Sequence, residues 1–209
     1  MPKPLFIAFE GIDGSGKSTQ AKLLAEKLKQ EGHKVYVTFE PTSSRIGSII
    51  RDIFNHRQEG DHRTIAGLFV ADRLHHLLNS TDGILKKMSD GFTVITDRYY
   101  LSSYAYQGAH VPLQWVIQAN SLSVDLLKPH IHIFIDISEE ECMKRLHSGR
   151  NYVELYENLE NLKKVRKKYY EAFELVKENE QIVTFDGTLS PEIVSRNIWN
   201  HIHELIAKK

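Results

Sequence analysis

One glycine-rich segment near the start of the chain limits its possible folds more than any other feature. The segment follows the apolar run Leu5–Glu10 and matches the pattern G-x-x-x-x-G-K-[ST]. It reads Gly11-Ile12-Asp13-Gly14-Ser15-Gly16-Lys17-Ser18-Thr19. Such a segment needs a strand before it and a helix after it, because loop N–H groups and the helix N-terminus together surround a polyphosphate. The sequence therefore predicts a nucleoside triphosphate site, formed by these nine residues, in an α/β fold.

Two residues of this phosphate-binding loop (P-loop) have side chains suited to charged oxygen atoms. Lys17 can neutralise phosphate charge, and the hydroxyl group of Ser18 can bind Mg²⁺. A glycine-rich turn that only joins a strand to a helix is the simpler alternative, but such a turn does not need lysine followed by serine. The pattern therefore favours a nucleoside triphosphate bound with Mg²⁺.

Short β-rich runs alternate with segments of helical periodicity along the rest of the chain. This alternation predicts a parallel sheet with helices on both faces. The predicted strands are Leu5–Glu10, Lys34–Phe39, Phe92–Asp97, Ile131–Asp136 and Gln181–Asp186. The predicted helices are Lys17–Gln30, Ile46–Phe54, Thr64–Leu78, Leu113–Leu127, Glu139–Leu146, Leu159–Lys177 and Pro191–Ile206. A chain of 209 residues suits one such domain, which we expect to span residues 1–209.

The charge balance and the cysteine content limit the partners and the location that the sequence favours. Basic and acidic residues number 27 each, so no net field would hold the chain on nucleic acid or an anionic membrane. No apolar run approaches the ~20 residues that a membrane-spanning helix requires. The single cysteine, Cys142, cannot form an internal disulfide, and the N-terminus lacks the apolar stretch of a signal peptide. We therefore expect a cytoplasmic protein without nucleic-acid or membrane partners.

A second polar segment follows the third predicted strand, at the sheet edge where ligands of such folds bind. Asp97 could hold the metal directly or through water, and the planar donor groups of Arg98 suit a phosphate. The alternative is an Asp–Arg pair that caps the next helix. A guanine-reading N-K-x-D pattern, typical of P-loop switch proteins, does not occur in the sequence.

Several segments together resemble the thymidylate kinase family in order and spacing. They are Phe9-Glu10-Gly11-Ile12-Asp13-Gly14-Ser15-Gly16-Lys17-Ser18-Thr19, Phe39-Glu40-Pro41, Phe69-Val70-Ala71-Asp72-Arg73, and Asp97-Arg98-Tyr99 with Tyr106-Gln107-Gly108. The resemblance covers nearly the whole chain. It implies a five-stranded parallel sheet with a mobile lid, transfer of the γ-phosphoryl group of ATP to dTMP with Mg²⁺, and a homodimer. A kinase for another nucleotide or nucleoside and a nucleotide-dependent switch protein are the alternatives.

The resemblance assigns the base and the phosphate of dTMP to four side chains. Phe69 is expected to stack on thymine, and Arg73 is expected to donate to the thymine carbonyl group at position 4. An aromatic face suits a flat base, and an arginine suits an exposed acceptor. Arg98 is expected to hold the dTMP phosphate, with Arg51 as a second cation. From the residues alone, Phe69 could also be ordinary helix core, and both Arg73 and Arg51 could be solvated charges.

Five further residues belong to the acceptor site that the resemblance implies. Ser103 falls near the base N3, Gln107 adds a hydrogen bond to the base or its neighbours, and Tyr106 crowds the sugar C2′ against a ribose hydroxyl group. Asp13 faces the acceptor sugar, where the family's acid contacts the 3′-hydroxyl group or orders the metal site. Glu40 supports the same region, although Glu40-Pro41 could equally form a turn.

The lid implied by the resemblance lies in residues 147–157. Bacterial-type members of the family supply a catalytic arginine from the lid, and Gly14 fits that type because the other type carries a basic residue there. The lid departs from the family's D-R-x-E, since Leu155 stands where arginine is expected. Arg150 is the one arginine within residues 147–157 of the sequence, which makes it the candidate cation. The predicted catalytic residues are Asp13, Lys17, Arg98 and Arg150.

Overall fold

The computed structural model describes residues 3–149 and 155–207, and its centre is a five-stranded sheet. The strands are β1 Phe6–Glu10, β2 Val35–Phe39, β3 Thr93–Asp97, β4 Ile131–Asp136 and β5 Ile182–Asp186. Their order is β2-β3-β1-β4-β5, and every neighbouring pair is parallel. The predicted fold class is confirmed, and the strands lie within one residue of their predicted bounds.

Helices cover both faces of the sheet. They are α1 Lys17–Gln30, α2 Arg45–Phe54, α3 His62–Leu78, α4 Ile84–Ser89, α5 Tyr100–Tyr106, α6 Leu113–Ala119, α7 Ser121–Leu126, α8 Glu139–Gly149, α9 Leu159–Val176 and α10 Pro191–Ala207. A short 3₁₀ helix, Gln107–Ala109, follows α5. None of the helices in the described ranges is long and apolar enough to cross a membrane.

The alternation of side chains along β1 gives the sheet a core on each face. Phe6 and Ala8 belong to the core formed with α2, α3, α5 and α9. Ile7 and Phe9 belong to the core formed with α1 and α10. All four side chains are fully buried, as expected for a central parallel strand with helices on both sides. The two cores hold the carboxyl ends of β1, β2 and β3 together at one edge of the sheet.

The predicted helix Leu113–Leu127 is wrong in one respect, because it consists of two helices that meet at Asn120. The buried Asn120 amide donates to the Val116 carbonyl oxygen at 2.8 Å and accepts a hydrogen bond from Arg73 on α3. Asparagine competes with helical hydrogen bonding through its own side chain, and here its partner lies on another helix. Periodicity alone cannot reveal this tertiary contact.

The helix α5, Tyr100–Tyr106, was not predicted, because nothing in its local pattern indicates a helix. It contains three tyrosines and two serines, which are weak helix formers. All seven residues are buried, so the segment has no polar face to reveal a period of 3.6. Packing against α9 stabilises it instead. This helix matters for function because it carries two of the predicted site residues, Ser103 and Tyr106.

Candidate active site

The P-loop joins β1 to α1, and close contacts require two of its glycines. Gly11 has a φ angle of 144°, and a Cβ atom there would lie 2.7 Å from the Ile135 carbonyl oxygen. Gly14 has a φ angle of 80°, and a Cβ atom there would lie 2.9 Å from the Cys142 carbonyl oxygen. Any larger residue would meet backbone atoms in a conformation that side chains rarely adopt. The fold therefore needs these glycines, as does close backbone approach to a phosphate.

The P-loop lines an open cleft of about 970 Å³, which we call the donor cavity. Residues 13–22, from the loop into α1, form a continuous part of its lining. The helix α1 begins at Lys17, so its first N–H groups lie beside the loop without partners inside the helix. Arg145 on α8 and Gly187 after β5 also line the cavity, and Arg145 Nη2 donates to the Gly187 carbonyl oxygen at 3.0 Å. The cavity suits a large anionic ligand.

Lys17 is buried at the base of the donor cavity. Its Nζ atom donates to the Ile12 carbonyl oxygen at 2.9 Å. Burial and the nearby charge of Arg98 lower the pKa of Lys17, whereas Asp97 and Asp13 act in the opposite direction. The ammonium group is therefore desolvated and lies near two carboxylates, a setting in which an added phosphate would gain strong electrostatic attraction.

The predicted metal ligands Ser18 and Asp97 are in contact. The Ser18 hydroxyl group donates to Oδ2 of Asp97. The other carboxylate oxygen, Oδ1, is buried and has no hydrogen-bond partner among the described residues. A buried carboxylate oxygen is costly without a partner, and oxygen atoms are the ligands that Mg²⁺ prefers. The pair therefore fits a Mg²⁺ ion.

Arg98 lines both the donor cavity and a second, smaller cavity beside it. Its backbone has a φ angle of 77°, which is uncommon outside glycine and recurs at functional sites. Its guanidinium group donates to the Gly11 carbonyl oxygen at 3.3 Å, to Ser102 Oγ at 3.2 Å and to the Asp13 carboxylate. Burial alone would lower the pKa of Arg98, but the Asp13 carboxylate raises it well above its usual value. Arg98 is thus a fixed cation between the cavities.

Asp13 and Tyr106 are also hydrogen-bonded to each other, beside Arg98. The Tyr106 hydroxyl group donates to Asp13 Oδ2 at 2.7 Å and accepts from the Asp13 backbone N–H at 3.0 Å. Burial opposes ionisation of Asp13, but the charges of Arg98 and Lys17 outweigh that effect and lower its pKa. The Arg98 guanidinium carbon lies 4.6 Å from the centre of the Tyr106 ring. Asp13, Arg98 and Tyr106 therefore hold one another in place.

The second cavity, which we call the acceptor cavity, has a volume of about 210 Å³. Its lining includes the predicted residues Asp13, Arg51, Phe69, Arg98, Tyr106 and Gln107. It also includes Phe39, Pro41, Phe54, Ser102, Tyr156 and Glu157, to which the sequence analysis gave no role. In the sequence, Phe54 looks like an ordinary core residue at the end of α2. Only the fold shows that it borders the cavity beside Phe69, with 6.0 Å between the ring centres.

Two polar side chains stand out in the acceptor cavity. Gln107 is 2% exposed, and its Oε1 atom has no hydrogen-bond partner among the described residues. Arg51 Nη1 donates to the carbonyl oxygens of Pro41 at 2.9 Å and Thr42 at 2.5 Å. These bonds fix the Arg51 guanidinium group through one nitrogen atom. Arg51 is therefore held in place at the cavity, and Gln107 contributes an unpartnered buried oxygen atom.

Arg73, Glu40 and Ser103 form a buried network beside the acceptor cavity. Arg73 is 0% exposed, and it donates to Glu40 Oε2 at 2.9 Å from Nε and at 2.6 Å from Nη2. Its Nη1 atom donates to Ser103 Oγ at 2.9 Å. The alternative that Arg73 is a solvated surface charge is therefore wrong. Neither Arg73 nor Ser103 belongs to the cavity lining, so their direct contact with a base stays a prediction.

The predicted catalytic cation Arg150 lies outside the described residues. The described residues at the end of the predicted lid, from Leu155 onward, contact the acceptor cavity. The Leu155 backbone N–H donates to the Phe54 carbonyl oxygen at 3.2 Å. The Tyr156 ring lies edge-on to Phe54, with 5.2 Å between the ring centres. The lid segment therefore ends directly beside the acceptor cavity.

Comparisons with known proteins agree with this geometry. The sequence model of a protein family described as thymidylate kinase matches residues 9–198. A probable thymidylate kinase from Pyrococcus horikoshii is 40% identical over 179 residues, which cover 83% of this chain and 84% of the relative. A probable thymidylate kinase from Methanocaldococcus jannaschii is 39% identical over 171 residues, which cover 81% of this chain and 82% of the relative. Both relatives are archaeal, and the bacterial-type assignment of the lid stays a prediction.

Proposed function

This chain belongs to the thymidylate kinase family, and we propose that its donor cavity binds ATP while its acceptor cavity binds dTMP. The chain transfers the γ-phosphoryl group of ATP to dTMP, giving dTDP and ADP. The observation that carries the assignment of the cavities is that they share Asp13, Phe39 and Arg98. Ligands in adjoining cavities are held close together, as direct transfer between them requires.

On the donor side, we assign the polyphosphate of ATP to the P-loop and the start of α1. The backbone N–H groups there donate to phosphate oxygens, and Lys17 balances their charge. Ser18 and Asp97 would hold Mg²⁺, and the unpartnered Oδ1 atom of Asp97 supports this assignment. When bound, Mg²⁺ would neutralise charge on the β- and γ-phosphate oxygens.

The phosphate of dTMP is the nucleophile, so no side chain needs to attack. One of its oxygen atoms bonds to the γ-phosphorus as the bond to the ADP oxygen breaks, in line with it. Arg98, held by Asp13, orients the attacking phosphate from the acceptor side, and Lys17 stabilises charge on the transferring group from the donor side. We assign a third cation to Arg150 of the lid, because Gly14 and Leu155 carry no charge. A guanidinium group suits this role through its planar set of donors.

On the acceptor side, shape and a few polar groups select dTMP. Phe69 provides an aromatic face for thymine, and Gln107 Oε1 can accept a hydrogen bond from the base. We place Tyr106 beneath the sugar C2′. Its bond to Asp13 keeps the ring from moving aside to admit a ribose hydroxyl group.

We propose that Arg73 also acts through the two helices it connects. Arg73 lies on α3 with Phe69, and its partner Ser103 lies on α5 with Tyr106. The Arg73–Ser103 bond therefore fixes the distance between the two aromatic walls of the acceptor cavity. Glu40 satisfies the remaining charge of Arg73 in the core.

Two further expectations complete the proposal. We propose a homodimer, because the neighbouring helices α3 and α7 leave apolar side chains exposed, among them Leu78 at 56% and Leu122 at 61%. Leu122→Glu should then shift the sedimentation coefficient of the dimer to that of a monomer. A cytoplasmic location, where ATP and dTMP are both present, is the expected setting.

The proposed function is tested by a coupled assay of ADP release with ATP, Mg²⁺ and a panel of nucleoside monophosphates. We expect dTMP to give the highest kcat/KM, dUMP a lower value, and UMP a much lower one. Equal activity with purine monophosphates would contradict the assignment of the acceptor cavity. ADP release that does not depend on any monophosphate would instead indicate a nucleotide-hydrolysing switch.

A further inference from the structure

Glu10, the last residue of β1, is 0% exposed and lines neither cavity. Burial raises the pKa of its carboxyl group to about 7, while a hydrogen bond from Ser102 and the charge of Arg98 act in the opposite direction. A carboxyl group removed from water is costly unless hydrogen bonds and charges compensate it. The hydrogen-bond and charge partners of Glu10 therefore indicate the role of this buried carboxyl group beside the P-loop.

Three hydrogen bonds hold the Glu10 carboxyl group. Its Oε1 atom accepts from the Tyr99 backbone N–H at 3.1 Å. Its Oε2 atom accepts from the Ser102 hydroxyl group at 2.5 Å and from the Tyr169 hydroxyl group at 3.2 Å. Tyr99 directly follows Arg98, so the first bond fixes the backbone just after the left-handed residue.

Both hydroxyl groups also contact the active site. Ser102 Oγ accepts from Arg98 Nη1 at 3.2 Å. The Tyr169 hydroxyl group lies 3.3 Å from the Gly11 carbonyl oxygen, to which Arg98 Nη1 also donates at 3.3 Å. The Ser102 hydroxyl group thus lies between the Glu10 carboxylate and the Arg98 guanidinium group. The Tyr169 hydroxyl group lies between the Glu10 carboxylate and the Gly11 carbonyl group.

We propose that Glu10 is a positioning residue that holds Arg98 in the orientation required by the dTMP phosphate, a role that rests on the proposed function. The ionised carboxylate accepts a hydrogen bond from the Ser102 hydroxyl group, so that a lone pair of Ser102 Oγ faces Arg98. Its negative charge also attracts the guanidinium group through a region without water, where charges act strongly. Asp13 holds the same group from the cavity side. Arg98 therefore lies between two carboxylates, and only Asp13 borders the substrates.

Titratable groups face Glu10 from the surrounding elements. They are Arg98 after β3, Arg73 on α3, His132 on β4 and Tyr169 on α9. His132 Nδ1 lies 3.9 Å from Glu10 Oε1 and has no hydrogen-bond partner among the described residues, while Nε2 lies 3.3 Å from Glu180 Oε2. Burial lowers the pKa of His132, so this ring is neutral near pH 7. The charge of Glu10 is therefore compensated by the two arginines and not by His132.

Glu10→Gln tests the proposal because the amide imitates the protonated carboxyl group. Its oxygen can accept from the Tyr99 N–H, and its NH₂ group can donate to Ser102 Oγ and to the Tyr169 hydroxyl oxygen. All three contacts can therefore remain hydrogen-bonded, two of them with reversed direction, while the charge is lost. At pH 8 we expect kcat/KM for dTMP to fall about ten-fold, through the KM for dTMP and not through the KM for ATP. Below pH 7 wild-type Glu10 takes up its own proton, so the ratio of wild type to variant should approach one. This ratio cancels the ionisation of dTMP itself.

Thermal stability separates positioning from a merely structural role. The pKa of Glu10 is raised from 4.5 to about 7, so the folded protein binds more protons than the unfolded chain between these values. The ionised form at pH 8 therefore costs stability, and Glu10→Gln should leave Tm at pH 8 unchanged or higher. A structural role would lower Tm together with activity toward both substrates.

Glu180→Gln is the matched control. The Glu180 side chain is only 4% exposed, and its carboxylate contacts His132 and Tyr100 instead of Arg98, so the KM for dTMP should not change. Tyr169→Phe serves as the second variant if Glu10→Gln fails to fold, since it removes one of the bonds to Glu10, and it should raise the KM for dTMP about three-fold. An unchanged KM for dTMP in the folded variants, or an equal loss for ATP and dTMP at every pH, overturns the proposal. Failure of the wild type to phosphorylate dTMP would instead overturn the proposed function.

Discussion

The donor and acceptor cavities adjoin each other but are built in different ways. Ten consecutive residues, 13–22, contribute to the donor cavity, where the ligand-binding groups are largely backbone N–H groups and short side chains. The acceptor cavity is lined by side chains from α2, α3, α5, the 3₁₀ helix and the loops after β1, β2, β3 and the lid segment. The donor cavity also has more than four times the volume, at about 970 Å³ against 210 Å³.

This difference follows from what each ligand offers. A polyphosphate presents many equivalent oxygen atoms, which one loop and one helix N-terminus can bind without distinguishing one ligand shape from another. A single base and sugar must be distinguished from close relatives, which requires several side chains at fixed distances. Single substitutions should therefore impair transfer from the donor side and change selectivity or affinity on the acceptor side.

The largest expected effect is on the donor side. Lys17→Ala should lower kcat by at least roughly 10²-fold, about 2.7 kcal/mol of transition-state stabilisation, because no other P-loop side chain carries a positive charge. The KM for dTMP should change little, since Lys17 does not line the acceptor cavity. Steady-state kinetics with Lys29→Ala, an exposed lysine on the same helix, provide the control. A near-normal kcat would remove Lys17 from the mechanism.

The lid should act on kcat in a similar way. If Arg150 reaches the transferring phosphoryl group only in the closed state, Arg150→Ala should lower kcat by about 10²-fold with nearly unchanged dTMP binding. Arg150→Lys should recover part of this loss, because an ammonium group cannot reproduce the planar fork. Lys144→Ala, at a solvent-exposed position on α8, is the matched control. If Arg150→Ala keeps most of the wild-type kcat, Arg145 becomes the residue to test, since it lines the donor cavity.

The two cavities also differ in how far the sequence predicts them. The pattern of the phosphate-binding loop is continuous, and each residue type in it has a direct reason. Residues 13–19 of the predicted nucleotide site line the donor cavity, and their binding of ATP stays a proposal. The residues of the acceptor cavity were assigned by resemblance to a family, and that resemblance did not predict which residues they contact. The partner of Arg73 is Glu40, 33 positions away, and the pattern does not reveal that this ion pair is sealed from solvent. For Phe54 and Ser102, nothing in the neighbouring sequence distinguishes a residue that lines a cavity from an ordinary core residue.

A smaller effect, on selectivity, is expected from Tyr106. Tyr106→Ala should reduce the dUMP/UMP ratio of kcat/KM about ten-fold, because the ring no longer crowds the sugar C2′. Tyr106→Phe keeps the ring but loses the hydroxyl contacts with Asp13 and Arg98 that hold it in place, so its ratio should fall less than that of Tyr106→Ala. Measuring both variants with both acceptors separates the ring from the hydroxyl group. An unchanged ratio in Tyr106→Ala would mean that another wall of the cavity reads the sugar.

The smallest effect is expected from Gln107, whose Oε1 atom is buried without a partner among the described residues. If this oxygen accepts a hydrogen bond from the base, Gln107→Leu should raise the KM for dTMP about five-fold, or about 1 kcal/mol, with little change in kcat. Removing an unsatisfied buried carbonyl group should at the same time leave Tm unchanged or raise it. Gln118→Leu, at an exposed position on α6, controls for the added apolar surface. A raised Tm with an unchanged KM for dTMP would show that Gln107 packs beside the ligand without reading it, and base recognition would then rest on Phe69 and its aromatic neighbours.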